Sequence, residues 1–193
     1  MAHLKKVQIM AHYRRSYIEG GTYFFTLVTY KRRTFLTSEE ARHSLKTAWI
    51  KIRKKYPFDL VAFCLLPDHL HCIWTLPLND AIYSIRWQGI KGLFSKNMNL
   101  LGHWNKIQNT SMKKKRESGY LQRRFWEHTI FKQEDFNRHF DYIHFNPVKH
   151  GFVKHPKDWP WSTFHKYVET GIYDDNWGTL EPEFLKTFQV RGE

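Results

Sequence analysis

Two histidines, His69 and His71, carry the clearest chemical signal in the chain, and one apolar residue, Leu70, separates them. In a β-strand, side chains two residues apart point to the same face of the sheet. Both imidazoles would then leave one face together while Leu70 enters the core on the other. Two convergent imidazoles are half of a metal site. The ordinary alternative is a pair of partly exposed polar residues, so the meaning of the pair depends on what the rest of the chain adds.

A candidate for the other half lies further along the chain, at Tyr142 and Asn146, which stand four residues apart and share one face of a predicted helix. If that helix crosses the sheet, both side chains come over the two histidines. Two imidazoles and the Asn146 amide oxygen would form an open metal site with room for a phosphate. Tyr142 would then attack phosphorus, giving a covalent phosphotyrosine and a released 3′-hydroxyl. Taken alone, one tyrosine among 10 is more readily explained as a packing aromatic.

The strands that would carry the histidines are predicted from runs of β-branched and aromatic residues bounded by turn residues. Four such runs are found, over residues 22–30, 59–66, 69–76 and 121–131. The first three are separated by one helical pattern and by the short turn Pro67–Asp68. The fourth is rich in arginine and aromatic residues and follows an irregular stretch over residues 99–119.

Three helices are predicted from apolar residues at helical spacing. Thr37 with Glu40 makes a capping box for the first, which ends before Pro57. Asn79 or Asp80 caps the second. The second helix is expected to turn one apolar set inward and leave a basic set outside; these are Ile82, Ile85, Ile90, Leu93 and Phe94, and Arg86, Lys91 and Lys96 respectively.

Asp135 is predicted to cap the third helix, which Pro147 and Gly151 end. Because proline disfavours helical geometry at the residue before it, we expect a distorted last turn at Asn146. The order strand, helix, strand, strand, helix, strand matches the ferredoxin-like split βαβ plan, an α+β fold with an antiparallel sheet, and the third helix is an addition to it.

Length and composition favour one folded domain over residues 1–193, with a core of about 13–153 and a C-terminal extension of about 154–193. The extension is expected to pack back through aromatic residues such as Trp159 and Trp161. No apolar stretch approaches the roughly 18 residues that a membrane-spanning helix needs. Cys64 and Cys72 lie in apolar runs, which predicts core positions and a reducing, cytoplasmic setting.

The net charge of +13 predicts a polyanionic partner, with nucleic acid favoured over a membrane surface. The basic run Lys113–Arg116 is either a solvated segment or a grip on phosphates. Six cations that adjoin predicted elements are the better candidates for DNA contacts: Arg14, Arg15, Arg86, Lys91, Arg123 and Arg124.

These motifs together resemble a known family. The segment Leu66–His71 resembles the HUH motif, two histidines flanking a hydrophobic residue, of single-strand DNA transposases. The segment Tyr142–Gly151 resembles the catalytic-tyrosine helix of REP-associated tyrosine transposases. Three further segments resemble the same family in the same order: GGTYFFT at 20–26, RFWEH at 124–128 and WPWS at 159–162.

The resemblance implies a metal-dependent single-strand DNA endonuclease and strand transferase. Its implied substrates are hairpins of repetitive extragenic palindromes (REPs). It also implies that His69 and His71 bind the metal, Mg²⁺ or Mn²⁺, that Tyr142 is the nucleophile, and that Asn146 completes the metal shell at a position where related insertion-sequence transposases have glutamine. Members of this family are mostly monomeric, so a monomer is expected.

Two other functions remain open from the sequence. A replication initiator or relaxase would use the same chemistry for a different task. A ferredoxin-like sheet could also serve as a non-catalytic nucleic-acid-binding module, which would stack bases on exposed aromatic side chains and would need neither metal nor Tyr142.

Overall fold

The computed structural model describes residues 15–102, 118–188 and 190. The strands and helices are β1 (Thr22–Val28), α1 (Glu39–Lys55), β2 (Asp59–Leu65), β3 (His69–Thr75), α2 (Tyr83–Leu100), β4 (Trp126–Ile130), α3 (Gln133–Lys149) and α4 (Phe164–Glu169). Short 3₁₀ helices lie at Tyr30–Arg32, Pro156–Asp158 and Glu183–Lys186. No helix in the described part of the chain is long and apolar enough to cross a membrane.

The four strands form one sheet in the order β2-β3-β1-β4, with every neighbouring pair antiparallel. This is the order expected of the ferredoxin-like plan, so the predicted α+β fold class is confirmed. In the register of the sheet, His71 lies opposite Thr26 and His69 lies opposite Val28. The strand β1 therefore lies between the two histidines and β4.

Helices α1 and α2 cover one face of the sheet, and the core there is rich in aromatic side chains. Trp74 and Trp87 stack with ring centroids 4.4 Å apart, and Trp49 meets both rings edge-on. Leu70 and Cys72 belong to this cluster, which confirms that alternate residues of β3 enter the core on this side. A fully buried leucine such as Leu70 stabilises the fold by roughly 1.5–3 kcal/mol relative to an exposed one.

Helix α3 and the C-terminal extension cover the opposite face, in a second cluster that includes Phe24, Ile73 and Tyr142. The extension packs back on the domain, as predicted, and its partner there is the edge strand β2. Trp159 donates its indole N–H to the carbonyl of Leu65 at 2.9 Å, and the Leu65 N–H donates to the carbonyl of Trp161 at 2.9 Å. These bonds cover a sheet edge that would otherwise present unpaired backbone groups.

Helix α3 begins at Gln133, two residues before the predicted cap, and Asp135 lies in its first turn, where a carboxylate favours the positive end of the helix dipole. Pro147 lies inside the helix rather than ending it, so that prediction is wrong. The helix ends at Lys149, and Gly151 then adopts a φ of +71°. Glycine takes this left-handed conformation without strain, so the chain can turn back on itself directly after the helix.

Helix α2 buries part of the predicted inner face, since Ile90 and Phe94 are fully buried, but it differs from the prediction near its start. Ile82 and Ile85 are exposed, whereas Arg86 is fully buried, so the prediction of Arg86 on the outer face is wrong. The Arg86 guanidinium donates to the carbonyls of Pro57 and Ile82 and to the Asp80 carboxylate, at 2.6–2.9 Å. These acceptors compensate the burial of the charge.

Two further boundaries differ from the prediction. The cap of α1 is Ser38, whose hydroxyl accepts the N–H of Ala41 at 3.3 Å, in place of Thr37. The fourth strand is shorter than residues 121–131, because only Trp126–Ile130 pairs with β1 and Leu121 forms a single bridge to Thr29. Aromatic and β-branched residues give a segment strand propensity, but pairing partners decide where the strand runs.

Candidate active site

His69 and His71 lie at the start of β3 on the face that α3 covers, and both side chains are buried. Their ring centroids are 4.9 Å apart and the rings are nearly perpendicular. The strand holds both rings on one side, as the alternation of side chains predicts.

Each imidazole is oriented by a polar neighbour at its Nδ1 atom. His69 Nδ1 lies 2.6 Å from Asp68 Oδ1, and His71 Nδ1 lies 3.0 Å from Thr26 Oγ1. In the neutral tautomer in which Nδ1–H donates to these oxygens, the lone pair of the ring is on Nε2. Hydrogen bonds of this kind fix the tautomer and the ring direction of histidines that bind metals.

Asp68 is itself held in the carboxylate form. Burial alone would raise its pKa, but the hydrogen bond from His69 and the Arg32 guanidinium lower the pKa to about 2. Arg32 donates to Asp68 Oδ2 at 3.0 Å. The carboxylate therefore bridges an exposed arginine and the buried imidazole of His69.

Tyr142 lies beside this pair, on α3, and is buried. Its ring centroid is 5.3 Å from that of His71 and 6.1 Å from that of Phe24. Lys149, two turns further along the helix, donates from Nζ to the phenolic oxygen at 3.1 Å, and its ammonium also lies 4.6 Å from the tyrosine ring centroid. A positive charge at that oxygen stabilises the phenolate form relative to the phenol.

Asn146 is fully buried on the same face of α3. It stands four residues after Tyr142 and four before His150, whose ring centroid is 5.1 Å from that of His69. Since residues four apart lie one above another on a helix, Asn146 lies on the helix stripe between two side chains that contact the two histidines. The backbone carbonyl of Asn146 also accepts the backbone N–H of His150 at 3.0 Å, so the chain stays helical past Pro147.

These donors fit a divalent metal ion. Two imidazoles oriented at Nδ1 and a buried amide side chain offer nitrogen and oxygen ligand atoms, and three ligands would leave coordination positions for water or a phosphate. Cys72, which follows His71, does not add a thiolate to this set, because its side chain packs with Leu70 in the core on the opposite face of the sheet. The chemistry of the donors thus supports the sequence-based expectation for this site.

The predicted DNA contacts have varied positions, and Arg86 is a correction to that prediction, because it is fully buried against its own acceptors. Arg123 and Arg124 are exposed, just before β4. Lys91 donates to the carbonyls of Gln122 and Arg123, so it also holds that segment in place. Arg15 lies with its Nε 3.4 Å from the buried Glu127 carboxylate and its guanidinium over the Phe125 ring. Arg14 and the run Lys113–Arg116 lie outside the described residues.

Sequence reasoning missed four neighbours of the site: Thr26, Asp68, Lys149 and His150. Thr26 was not predictable without the register of β1 against β3. The other three carried a local signal, because Asp68 directly precedes His69 and a helix puts residues 142, 146, 149 and 150 on one face. His144, by contrast, is a core residue. Burial lowers its pKa to about 3, and its ring nitrogens lie 2.8 Å from Thr163 Oγ1 and 3.1 Å from the Tyr173 hydroxyl.

Comparison with known proteins places this arrangement in context. The sequence model of the family described as "Transposase IS200 like" matches residues 17–145 of this chain. A REP-associated tyrosine transposase of Escherichia coli is 43% identical over 168 residues, which cover 87% of this chain and 91% of the relative. A protein of Haemophilus influenzae that bears the same name in provisional form is 44% identical over 170 residues, 88% of this chain and 94% of that protein.

A solved structure gives the same result in three dimensions. It is a REP-associated tyrosine transposase bound to a REP hairpin, with a TM-score of 0.72 and 40% sequence identity. The match covers 90% of this chain and 96% of that one.

Proposed function

Because the chain belongs to the REP-associated tyrosine transposases, within the IS200-like transposase family, and is therefore a DNA-processing enzyme, we propose that it cleaves and rejoins single-stranded DNA at REP-like hairpins through a phosphotyrosine intermediate. The observation that carries this proposal is the contact between Tyr142 and His71, with ring centroids 5.3 Å apart. A candidate nucleophile and a candidate metal ligand from distant parts of the sequence share one buried site.

We assign His69, His71 and Asn146 as the residues that would hold a divalent cation. Its identity as Mg²⁺ or Mn²⁺ follows from the family resemblance, because two imidazoles suit a softer ion such as Zn²⁺ at least as well. A bound cation would polarise the scissile phosphate and stabilise the charge on its oxygens. The protein's own contribution is orientation. Asp68 and Thr26 hold the two imidazoles from Nδ1, and the sheet fixes both strands, so the ligands need little rearrangement when the substrate enters.

The chemical step is a substitution at phosphorus. The Tyr142 oxygen forms a bond to phosphorus and loses its proton, while the bond from phosphorus to the 3′ oxygen breaks and that oxygen takes up a proton. The DNA on the 5′-phosphate side becomes attached to the enzyme, and the other fragment leaves with a free 3′-hydroxyl. A 3′-hydroxyl of either strand can reverse the step, which rejoins DNA.

Lys149 would assist by holding its ammonium at the phenolic oxygen, where negative charge develops as the proton leaves. Electrostatic stabilisation of this type is strongest in sites that exclude water, and the Tyr142 ring is buried. Lys149 itself is exposed, so its effect is screened more than that of a buried cation.

A hairpin substrate is proposed for two reasons. The relative of known structure binds a REP hairpin and resembles this chain along 90% of its length. The chain also carries a net charge of +13, and exposed cations such as Arg123 and Arg124 suit contacts to phosphates. We further propose a monomer, since β3 and α3 of the same chain supply every residue assigned to the site.

The test uses a single-stranded REP-like hairpin with its flanking bases, labelled at the 3′ end so that the transferred fragment carries the label. In Mn²⁺ or Mg²⁺ the wild-type chain should form a labelled covalent adduct that survives denaturing electrophoresis. Tyr142→Phe should bind the hairpin with unchanged affinity and form no adduct, because phenylalanine keeps the ring and removes the nucleophilic oxygen.

Tyr173→Phe is the matched control. Tyr173 is a buried tyrosine that bonds to Asp141 and His144, away from the histidine pair, so adduct formation should persist in that variant. An adduct with Tyr142→Phe would exclude Tyr142 as the nucleophile. Hairpin binding by the wild-type chain without any adduct in either metal would instead support a non-catalytic binding module.

A further inference from the structure

A second group of side chains of the types that bind metals lies on the face of the sheet that α3 covers, outside the proposed active site. His128 on β4 and Asp135 and His139 on α3 bring one potential ligand atom each within 4.8 Å of one another. His128 Nε2 is 2.7 Å from Asp135 Oδ2, and His139 Nδ1 is 3.0 Å from Asp135 Oδ1. The two imidazoles stack with ring centroids 4.7 Å apart.

This group is distinct from the pair His69 and His71. Strand β1 runs between β3 and β4, and His128 lies opposite Phe24 in the register of the sheet. The Phe24 ring contacts both sets, with its centroid 5.3 Å from that of His71 and 4.7 Å from that of His139. An apolar ring on the central strand therefore adjoins a histidine of each group.

The arrangement is one that metal sites in proteins use. Asp135 and His139 are four residues apart on α3, so the helix presents both side chains in the same direction. His128 comes from a strand that faces them, and all three therefore start from rigid elements. His139 is buried, whereas His128 and Asp135 are partly exposed, so an ion could reach the group from the solvent side.

We infer that His128, Asp135 and His139 form a binding site for a zinc-type transition-metal ion, separate from the proposed catalytic metal. Two imidazoles and one carboxylate are the ligand set of many zinc sites, with a fourth position for water, whereas Mg²⁺ prefers oxygen ligands. The metal would tie the first turns of α3 to β4. Since Tyr142 follows His139 by three residues on that helix, the site would stiffen the element that carries the proposed nucleophile.

In the simpler alternative, Asp135 only accepts hydrogen bonds from the two imidazoles, and no metal binds. Metal titration of the full chain distinguishes the two. Zn²⁺ or Co²⁺ is titrated into the His69→Ala/His71→Ala double variant, alone and with His128→Gln added. Glutamine keeps a hydrogen-bond donor for Asp135, and His128 is partly exposed, so the added substitution should leave the fold intact.

The double variant should bind one equivalent of metal ion. Adding His128→Gln should lower the affinity for that ion by more than the roughly 10–100-fold that is typical of removing an outer-shell partner. The Co²⁺ form should show a visible absorption band of tetrahedral intensity that the added substitution removes. His43→Gln, an exposed histidine on α1, is the matched control and should change neither result. Equal stoichiometry and affinity with and without His128 would overturn the assignment.

A second measurement does not depend on the double variant. In the otherwise unaltered chain, Zn²⁺ at a hundredfold excess over its Kd should raise the melting temperature by about 5–10 °C. Asp135→Asn should remove most of that rise, while the melting temperature without metal stays close to that of the unaltered chain. An identical rise in Asp135→Asn would mean that zinc stabilises the protein elsewhere, and the site would be rejected.

Discussion

The two faces of the sheet bury polar groups in different ways. On the face of α1 and α2, the buried charged groups bond back to the fold: Arg86 donates to two carbonyls and to Asp80, and Glu127 accepts from Tyr83. On the face of α3, His144 likewise bonds to Thr163 and Tyr173, but His69 and His71 lie together with a polar oxygen at each Nδ1, and a tyrosine and an amide line up along the helix above them.

This difference separates groups that stabilise the fold from groups that are arranged for chemistry. Burying a polar group costs free energy unless its hydrogen bonds are replaced, and a buried arginine with several acceptors meets that condition within the fold. Imidazoles whose rings are oriented by hydrogen bonds at Nδ1 are instead arranged to offer Nε2 to a metal. We therefore expect substitutions on the α3 face to affect activity first, and substitutions on the other face to affect stability first.

The largest effect is expected from His71→Ala. Removing one of the two imidazoles should lower the rate of adduct formation by on the order of 10³-fold or more, as removal of a group that acts in the chemical step does. The melting temperature should change little or rise. Single-turnover cleavage of the hairpin in Mn²⁺, with thermal melts of the same preparation, measures both. A large loss of stability together with the loss of rate would mean that His71 belongs to the core rather than to a metal site.

Trp74→Ala tests the opposite face. Trp74 is fully buried against Trp87, Trp49 and Phe58, and truncation should lower the free energy of unfolding by about 3–5 kcal/mol. Denaturant unfolding measures that change. Below the melting temperature, adduct formation per folded molecule should stay near the wild-type rate. If the rate fell as far as in His71→Ala, the two faces would not be functionally separate.

The contrast between the faces also explains how far the sequence could predict the structure. Periodicity predicted the order of elements and the side of β3 to which His69 and His71 point, because both depend on short-range spacing. It predicted the burial of Ile90 and Phe94 on α2 correctly but placed Arg86 outside, since Arg86 was treated as a surface cation. Its burial depends on acceptors from Pro57 and Asp80, which spacing along the helix does not reveal.

The candidate site was predictable to a similar extent. The histidine pair and the spacing of Tyr142 and Asn146 were visible in the sequence. The orienting role of Thr26 was not, since it depends on the register of two strands that are 40 residues apart or more. The grouping of His128 with His139 likewise depends on how α3 packs on β4. Long-range pairing is the part of a fold that local patterns specify least.

A smaller effect is expected from Lys149→Gln. Losing the ammonium at the Tyr142 oxygen should slow adduct formation by roughly 10–100-fold, less than the loss of a buried oxyanion donor because Lys149 is exposed. Lys149→Arg keeps the charge and should recover part of the rate, and hairpin affinity should change little in either variant. Equal rates for glutamine and arginine would show that the charge at this position has no part in the chemical step.

The smallest effect is expected from Arg123→Ala, because Arg123 is exposed and lies on neither covered face of the sheet. If this exposed arginine contacts a phosphate, removing it should weaken hairpin binding uniformly across sequences and reduce the slope of log K against log salt by about 1 or less. The rate of adduct formation at saturating hairpin should not change, because bound substrate still reaches Tyr142 in the same way. Lys51→Ala, an exposed cation on α1, is the matched control. Identical salt slopes for the two variants would remove Arg123 from the DNA-contact surface, whereas a lower saturated rate in Arg123→Ala would connect the segment before β4 to the chemistry on the α3 face.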